Sequence, residues 1–218
     1  MMGKVKMSKK STSIDMTAMC DVAFLLLTFF ILTATAKVPE PLPVDTPSST
    51  VQTKLPETGL VTITVGKSDG QDRVFFGMKD RAIRSGALDY MASKYKVDFT
   101  EEEKTQFALI DEFGVPLGGL KQLLAMKATD RAKKGVQPGI PTDSIGDNNQ
   151  LQDWIQGARK ANIENGGTKE LQFAIKGDAK EVYPQIKRVM DILQDQKINS
   201  IGFLTSYLTA FFTGVAGI

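Results

Sequence analysis

One segment near the start of the chain constrains the fold more than any other. Residues 16–36 are apolar or weakly polar apart from one charged side chain, Asp21. A helix of about 20 such residues, rising 1.5 Å per residue, matches the hydrocarbon thickness of a bilayer. We therefore expect a single transmembrane helix over residues 16–36.

The flanking charges predict the orientation of this helix. Residues 1–13 contain four lysines and no acidic residue, whereas Lys37 is the only basic residue that closely follows the apolar segment. The positive-inside rule then places the basic stub, residues 1–15, in the cytoplasm. The chain from about residue 37 onwards would lie on the far side of the membrane, which is the periplasm in a bacterium.

A cleaved secretory signal peptide is the main alternative to a permanent span. Residues 34–36, Ala-Thr-Ala, would pass as its cleavage site, and residues 22–32 have the length of its apolar region. Asp21 favours the span, because an intramembrane aspartate costs about 2.5–3.5 kcal/mol and usually faces protein and has a task. A secreted binding protein that has lost residues 1–36 remains the alternative.

Polar residues recur on one face of the expected helix. Asp21, Thr28 and Thr35 are spaced seven positions apart, so they lie nearly in line, and Thr17 stands one turn before Asp21. The threonine hydroxyls could instead simply bond to carbonyl groups of their own helix. A lone helix would leave the carboxylate in lipid, so we expect this polar face to contact a membrane-embedded partner.

The residue inventory excludes several classes of function. The chain contains no histidine and one cysteine, Cys20. Without histidine the commonest general base and zinc ligand are missing, and one cysteine cannot form an intrachain disulfide or a CxxC motif. The net charge of +2 comes from interspersed acids and bases, which gives no patch for nucleic acid. We expect no catalytic site, metal site or nucleic-acid partner.

Beyond the apolar segment the sequence predicts a tether and a folded domain. Residues 37–58 are proline-rich, which indicates an extended linker. Residues 59–205 are expected to form a small α/β domain in which helices cover a mixed sheet. With the N-terminal transmembrane helix added, the predicted fold class of the whole chain is α+β. The apolar tail, residues 206–218, is short for a span, and it could pack against the domain, a dimer mate or the membrane surface.

Apolar periodicity and turn residues predict the elements of this domain. Leu60 to Val65 alternates apolar and polar residues and is bounded by glycines, as a half-buried strand should be. A hairpin partner is expected after a turn over residues 66–70. The predicted strands are 60–65, 73–76, 171–178 and 198–204, and the predicted helices are 80–96, 117–134, 150–161 and 181–196.

Residues 14–30 resemble the N-terminal signature of the ExbD/TolR family, which runs approximately I-x-x-T-P-x-x-D-V-x-x-x-L-L-x-F-F. Ala18 departs from the usual proline, which is a helix-start signal rather than a chemical group. Residues 171–205 resemble the C-terminal half of the family's periplasmic domain. Residues 99–167 form a longer segment than the family usually has in the middle of this domain, so we interpret this segment as an insertion with one or two helices. The matching positions are Thr17, Asp21, Val22, Leu26 and Phe30 at the N-terminus, and Lys176, Asp178 and Tyr183, with turn and packing roles, in the domain.

This resemblance implies a non-enzymatic, proton-motive-force-driven energy-coupling subunit of the bacterial inner membrane. Asp21 would be the protonatable group, protons would be translocated, and no cofactor would be needed. The implied partners are a polytopic ExbB/TolQ-like ring, a second copy in a dimer and a TonB-like transducer of outer-membrane transport. The alternatives are a TolR-type subunit that works on a TolA-like protein in envelope maintenance and, less favoured, a MotB-like stator, whose peptidoglycan-binding motif is not found.

Overall fold

The computed structural model of the chain describes residues 16–34, 58–68, 70–133, 135–142, 149–167, 170–177, 183–198, 200–204 and 209–213. The chain divides into two units, residues 1–38 and residues 39–218. The predicted basic stub, and all of the predicted linker except residue 58, lie outside the described residues.

In the first unit a single helix, α1, spans Met16–Thr33. It is 18 residues long, so its axis measures about 27 Å at 1.5 Å per residue. All of its side chains are exposed, and it is the one helix of the described residues that is long and apolar enough to cross a membrane. The helix expected over residues 16–36 is therefore present, although it ends at Thr33, and its span of a membrane stays a prediction.

The second unit is built on a six-stranded mixed sheet of order β3-β2-β1-β4-β5-β6. The pairs of β1 with β4 and of β4 with β5 are parallel, and the remaining pairs are antiparallel. The sheet confirms the predicted α+β class. Its strands are β1 (Leu60–Ser68), β2 (Gln71–Met78), β3 (Glu112–Phe113), β4 (Gln172–Gly177), β5 (Ser200–Leu204) and β6 (Thr209–Thr213).

The first hairpin is longer than its sequence pattern predicts. Strand β1 continues through Gly66, and Ser68 pairs with Gln71 of β2, so residues 66–68 belong to the strand and not to the predicted turn over residues 66–70. Gly70 has a φ of +76°, a backbone conformation that favours glycine. Glycine at position 66 is thus a strand residue, and apolar periodicity alone could not distinguish it from a turn.

Helices cover one face of the sheet. Successive strand residues point to opposite faces of a sheet, so alternate residues of β1 share one face. On that face Val61, Ile63 and Val65 belong to one apolar core with residues of the helices and of β4. The helices are α2 (Arg81–Tyr95), α3 (Glu101–Ala108), α4 (Leu117–Ala125), α5 (Ala128–Arg131), α6 (Gln150–Glu164) and α7 (Tyr183–Asp195).

The inserted segment contributes to this core more than expected. Its described residues hold four helices, α3 to α6, together with β3, so the prediction of one or two helices was wrong. Trp154 on α6 is fully buried, with its ring 5.7 Å from that of Phe107 and 4.9 Å from that of Phe113, centroid to centroid. The segment is an integral layer of the domain, because it supplies the aromatic centre of the core.

The predicted helix over residues 117–134 was wrong in its length. Helix α4 ends at Ala125, and Met126 and Lys127 have extended backbone angles before the short α5 begins. The Arg131 side chain donates a hydrogen bond to the Met126 carbonyl, 3.0 Å away. This bond satisfies a carbonyl at the break, so the chain turns there although residues 117–134 contain no proline.

The C-terminal half follows the predicted strand, helix, strand order through β4, α7 and β5. Part of the apolar tail, Thr209–Thr213, then adds β6 antiparallel to β5. Of the three placements that the sequence left open, packing against the domain is the one observed for these residues. Residues 206–208 and 214–218 lie outside the described residues.

Helices α2 and α6 approach each other closely through small residues. A Cβ atom added at Gly86 would lie 2.7 Å from the Cβ of Ala161, and one added at Gly157 would lie 2.9 Å from the Tyr90 ring. Both distances are shorter than a normal carbon–carbon contact. The crossing of α2 and α6 therefore requires glycine at these two positions.

We expect Gly86→Ala to lower the free energy of unfolding by about 1–2 kcal/mol, because the backbones must move apart to admit the methyl group. Gly118→Ala in α4 is the matched control, since nothing lies within 4 Å of the added Cβ. That variant should be more stable by about 0.5–1 kcal/mol. Urea unfolding of the full chain in detergent, followed by circular dichroism, measures both. Equal shifts in the two variants would refute the close crossing.

Candidate functional site

Asp21 lies near the N-terminal end of α1. It is the only charged residue between Met16 and Thr33. At 1.5 Å per residue it stands about 8 Å along the axis from Met16 and about 18 Å from Thr33. Its side chain is exposed, as are those of its helical neighbours. The described residues of the first unit therefore provide no protein cover for this carboxylate.

The expected polar face is present in the helical geometry of α1. Thr17, Asp21 and Thr28 lie within about 60° of one another around the axis, because positions four and seven apart nearly repeat in a helix. Thr35, the fourth member of the predicted face, lies outside the described residues. Whether this face contacts a partner helix stays a prediction.

Two threonine hydroxyls of α1 bond to their own helix. Thr28 Oγ1 is 3.0 Å from the carbonyl oxygens of both Phe24 and Leu25, and Thr33 Oγ1 donates to the Phe29 carbonyl at 2.7 Å. This is the alternative that the sequence left open for such threonines. With its proton directed at the backbone, Thr28 presents acceptor lone pairs to its surroundings, so a protonated carboxyl could donate to it and a carboxylate could not.

The surface around Asp21 on α1 is apolar and large. The exposed fraction of the side chains in its central part lies between half and two thirds for most residues. Burying such a surface in lipid or protein is strongly favourable, whereas burying a charged carboxylate without a partner is not. The apolar surface of α1 and its one carboxylate therefore require different surroundings.

The three family-motif positions of the domain lie around the connection between β4 and α7. Lys176 is half-buried on β4, where its Cα pairs with those of Thr64 on β1 and Leu204 on β5. Tyr183 is the first residue of α7, and its side chain is outside the described set, as is the whole of Asp178. Their predicted turn and packing roles stay predictions.

A polar cluster that the sequence did not indicate links α2 to α6. The Asp153 carboxylate, largely buried, forms an ion pair with Lys94 and accepts a hydrogen bond of 2.7 Å from the Tyr95 hydroxyl. A carboxylate held by a cation and a hydroxyl is satisfied. We interpret this cluster as a tie between the two helices, which periodicity could not reveal because Asp153 lies on the apolar side of α6.

The described part of the domain offers no metal site, since it contains no cluster of three or more acidic or cysteine side chains that could hold an ion. On its surface, hydrogen bonds from Lys104 to Glu101 and Asp89 raise the pKa of the lysine ammonium. Lys104 is partly exposed and its two acidic partners are exposed, and ion pairs at the surface contribute little to stability.

Comparison with known proteins identifies a family that covers most of the chain. The family described as biopolymer transport protein ExbD/TolR matches residues 7–207, which include α1 and the domain through β5. No curated protein and no solved structure matches the chain.

Proposed function

Since the chain belongs to the ExbD/TolR family, we propose that it converts proton motive force into mechanical work, with Asp21 as the group that takes up and releases the proton. Proteins of this family are non-enzymatic energy-coupling subunits of biopolymer transport in the inner membrane, and they assemble with ExbB/TolQ-like membrane partners. The role of Asp21, the topology and the transducer are our proposals for this chain.

The observation that carries the proposal is the position of Asp21 in α1. One carboxylate stands in an otherwise uncharged apolar helix that no described part of the first unit covers. The family match begins at residue 7, before α1, so the apolar helix is part of what the family shares. This supports a retained span over a signal peptide that is removed.

The proposed mechanism depends on the cost of moving a charge through apolar surroundings. A neutral Asp21 can pass apolar side chains of a surrounding ring, whereas a charged Asp21 must stop where water or a polar group stabilises it. Thr28 lies about 10 Å from Asp21 along the helix axis, too far for a direct hydrogen bond, but its acceptor oxygen could receive one from a protonated group of the surrounding ring. One elementary charge that crosses 100 mV releases about 2.3 kcal/mol, enough to bias repeated steps.

The proposed setting is a single-pass protein with its N-terminus in the cytoplasm and its domain in the periplasm. Two copies of α1 would stand inside an ExbB/TolQ-like ring, which covers the apolar surface and the carboxylate. The domain would then act on a TonB-like protein that energises outer-membrane transport. A TolR-type role on a TolA-like protein is the second candidate, because the family description covers both branches.

Two assays on a strain that lacks the native copy test this proposal. Restored proton-motive-force-dependent uptake without a change in envelope integrity indicates the ExbD-type role, and the reverse indicates the TolR-type role. The intact mass of the protein from washed membranes should include residues 1–36. A soluble product that begins at Lys37 would instead identify a secreted protein and would refute the span.

A further inference from the structure

A basic surface with an apolar floor lies where α4 ends. We define this α4–α5 surface by five residues: Met126, Lys127, Arg131, Lys133 and Val136. The side chain of Met126 is 39% exposed, and Lys127 and Lys133 are exposed. The Arg131 Nε atom donates to the Met126 carbonyl at 3.0 Å, so the guanidinium is held against the C-terminal end of α4.

The floor of this surface is a groove with a volume of about 290 Å³. Pro116 and Leu123 form its sides with Met126, Val136 and Pro138. The chain after α5, which carries Val136 and Pro138, is held in place by Gln137. Its side chain donates to the Arg131 carbonyl at 3.0 Å and accepts from the Gly114 amide at 2.7 Å. The groove is therefore a built feature of the inserted segment and can admit apolar atoms.

Charge is concentrated at this surface. The described residues among 126–136 contain three basic residues and one acidic residue, a net charge of +2, which equals the net charge of the whole chain. The acidic residue, Asp130, lies 2.7 Å from the Lys133 ammonium. Its removal would release that lysine and increase the net positive charge, so this acid limits the affinity of the surface for anions.

The length of chain between the two units determines which anionic surface is within reach. Helix α1 ends at Thr33 and β1 begins at Leu60, and a linker of about 26 residues has a root-mean-square span of roughly 30 Å when flexible and reaches about 80 Å when extended. Membrane that surrounds α1 is thus within reach of the domain. Tethering of this kind raises the effective concentration of a weak site to the millimolar range.

We propose that the α4–α5 surface docks on anionic phospholipid headgroups of the membrane that α1 spans. Lys127, Arg131 and Lys133 contact the phosphates, and Met126 enters the interface over the apolar groove. Each cation near such a surface strengthens binding about fivefold, so three of them make a weak site that is occupied only because the domain is tethered. The docked state would hold the domain at the membrane until a partner pulls it away.

This inference rests on the span in the proposed function and does not depend on Asp21 as the proton carrier. The test uses the full chain with Cys20→Ser, which removes its only thiol, and with Met126→Cys labelled with an environment-sensitive fluorophore. The protein is reconstituted in vesicles of phosphatidylcholine alone, or with about one third phosphatidylglycerol. We expect quenching by aqueous iodide to fall about threefold or more in the anionic vesicles and to recover in high salt.

Charge variants make the test specific. Lys127→Glu combined with Lys133→Glu should weaken docking more than a hundredfold and restore full quenching, and Asp130→Asn should strengthen docking about fivefold. Lys187→Glu, an exposed lysine of α7, is the control and should change nothing. A label at Ser93→Cys, exposed on α2, should be quenched equally in both lipids.

Three outcomes would overturn the proposal. Equal quenching of the Met126→Cys label in both lipids would mean that no anionic headgroup is recognised. Unchanged protection in the double charge reversal would mean that the cations are not responsible. Protection that arises only when the ring partner is added, in either lipid, would identify the occupant as a protein.

Discussion

Asp21→Asn is expected to give a protein that assembles in the membrane and does no work. Asparagine keeps the size of the side chain but cannot take up or release a proton at physiological pH. In cells without the native copy, proton-motive-force-dependent uptake or envelope integrity should fall about a hundredfold or more, the scale on which positioned proton-transfer groups act. Membrane level and co-purification with the ring partner, measured in parallel, should equal those of the parent.

Two neighbouring variants control this experiment. Cys20→Ser changes the adjacent, exposed thiol of α1 and should keep full activity. Asp21→Glu restores a titrating carboxyl in a longer side chain and should recover part of the activity. Full activity of Asp21→Asn would make α1 a simple anchor. Loss of activity in Cys20→Ser as well would indicate a general disturbance of helix packing.

The second large effect is expected in the core of the domain, where Trp154→Ala should lower the free energy of unfolding by about 3–5 kcal/mol. Trp154 is fully buried and packs against the rings of Phe107 and Phe113. The truncation removes buried apolar area and leaves a cavity that this ring stack cannot fill. For a domain whose total stability is about 5–15 kcal/mol, that loss is severe.

Ile163→Ala on the same helix is the matched control. Its side chain is 74% exposed, so its truncation should change stability by less than about 0.5 kcal/mol. Urea unfolding followed by far-ultraviolet circular dichroism serves for both variants, because Trp154 is the only tryptophan and its fluorescence is lost with the substitution. A Trp154→Ala protein as stable as the control would show that the inserted segment is dispensable for folding.

The elements that depend on local pattern could be predicted from the sequence. Alternation over Leu60 to Val65 identified β1, and the periodic apolar residues of the last third identified the order of β4, α7 and β5. Asp21 could be singled out because a lone charge within an apolar membrane segment is costly and therefore usually has a function. These features are encoded within a few turns of chain, so no knowledge of distant contacts is needed.

Features that depend on distant contacts could not be predicted. Strand β3 has two residues, and it exists because Phe113 pairs with Phe76 of β2. Helix α3 begins at a Thr100–Glu103 capping box within a charged stretch in which only Phe107 is buried, so its apolar periodicity is weak. Helix α3 is thus a different case from β3, because residues 100–103 carry the capping-box pattern and this local signal could have identified the helix.

The candidate site and the polar cluster also combine features that the sequence predicts with features that require the structure. The spacing of Thr17, Asp21 and Thr28 places them on one helical face whatever surrounds the helix. The direction of the Thr28 hydroxyl toward its own backbone depends on local geometry that a spacing argument leaves open. The ion pair of Lys94 with Asp153 joins residues far apart in sequence, and it requires the fold to be known.

Proton flux through the reconstituted complex tests the role of Asp21 most directly. The chain and its ring partner are placed in vesicles with an imposed potential, and internal pH is followed with an entrapped dye. We predict a flux in the parent and in Cys20→Ser that falls to the level of empty vesicles in Asp21→Asn. Equal flux in the parent and in Asp21→Asn would contradict the proposal, because the proton would then cross without this carboxyl.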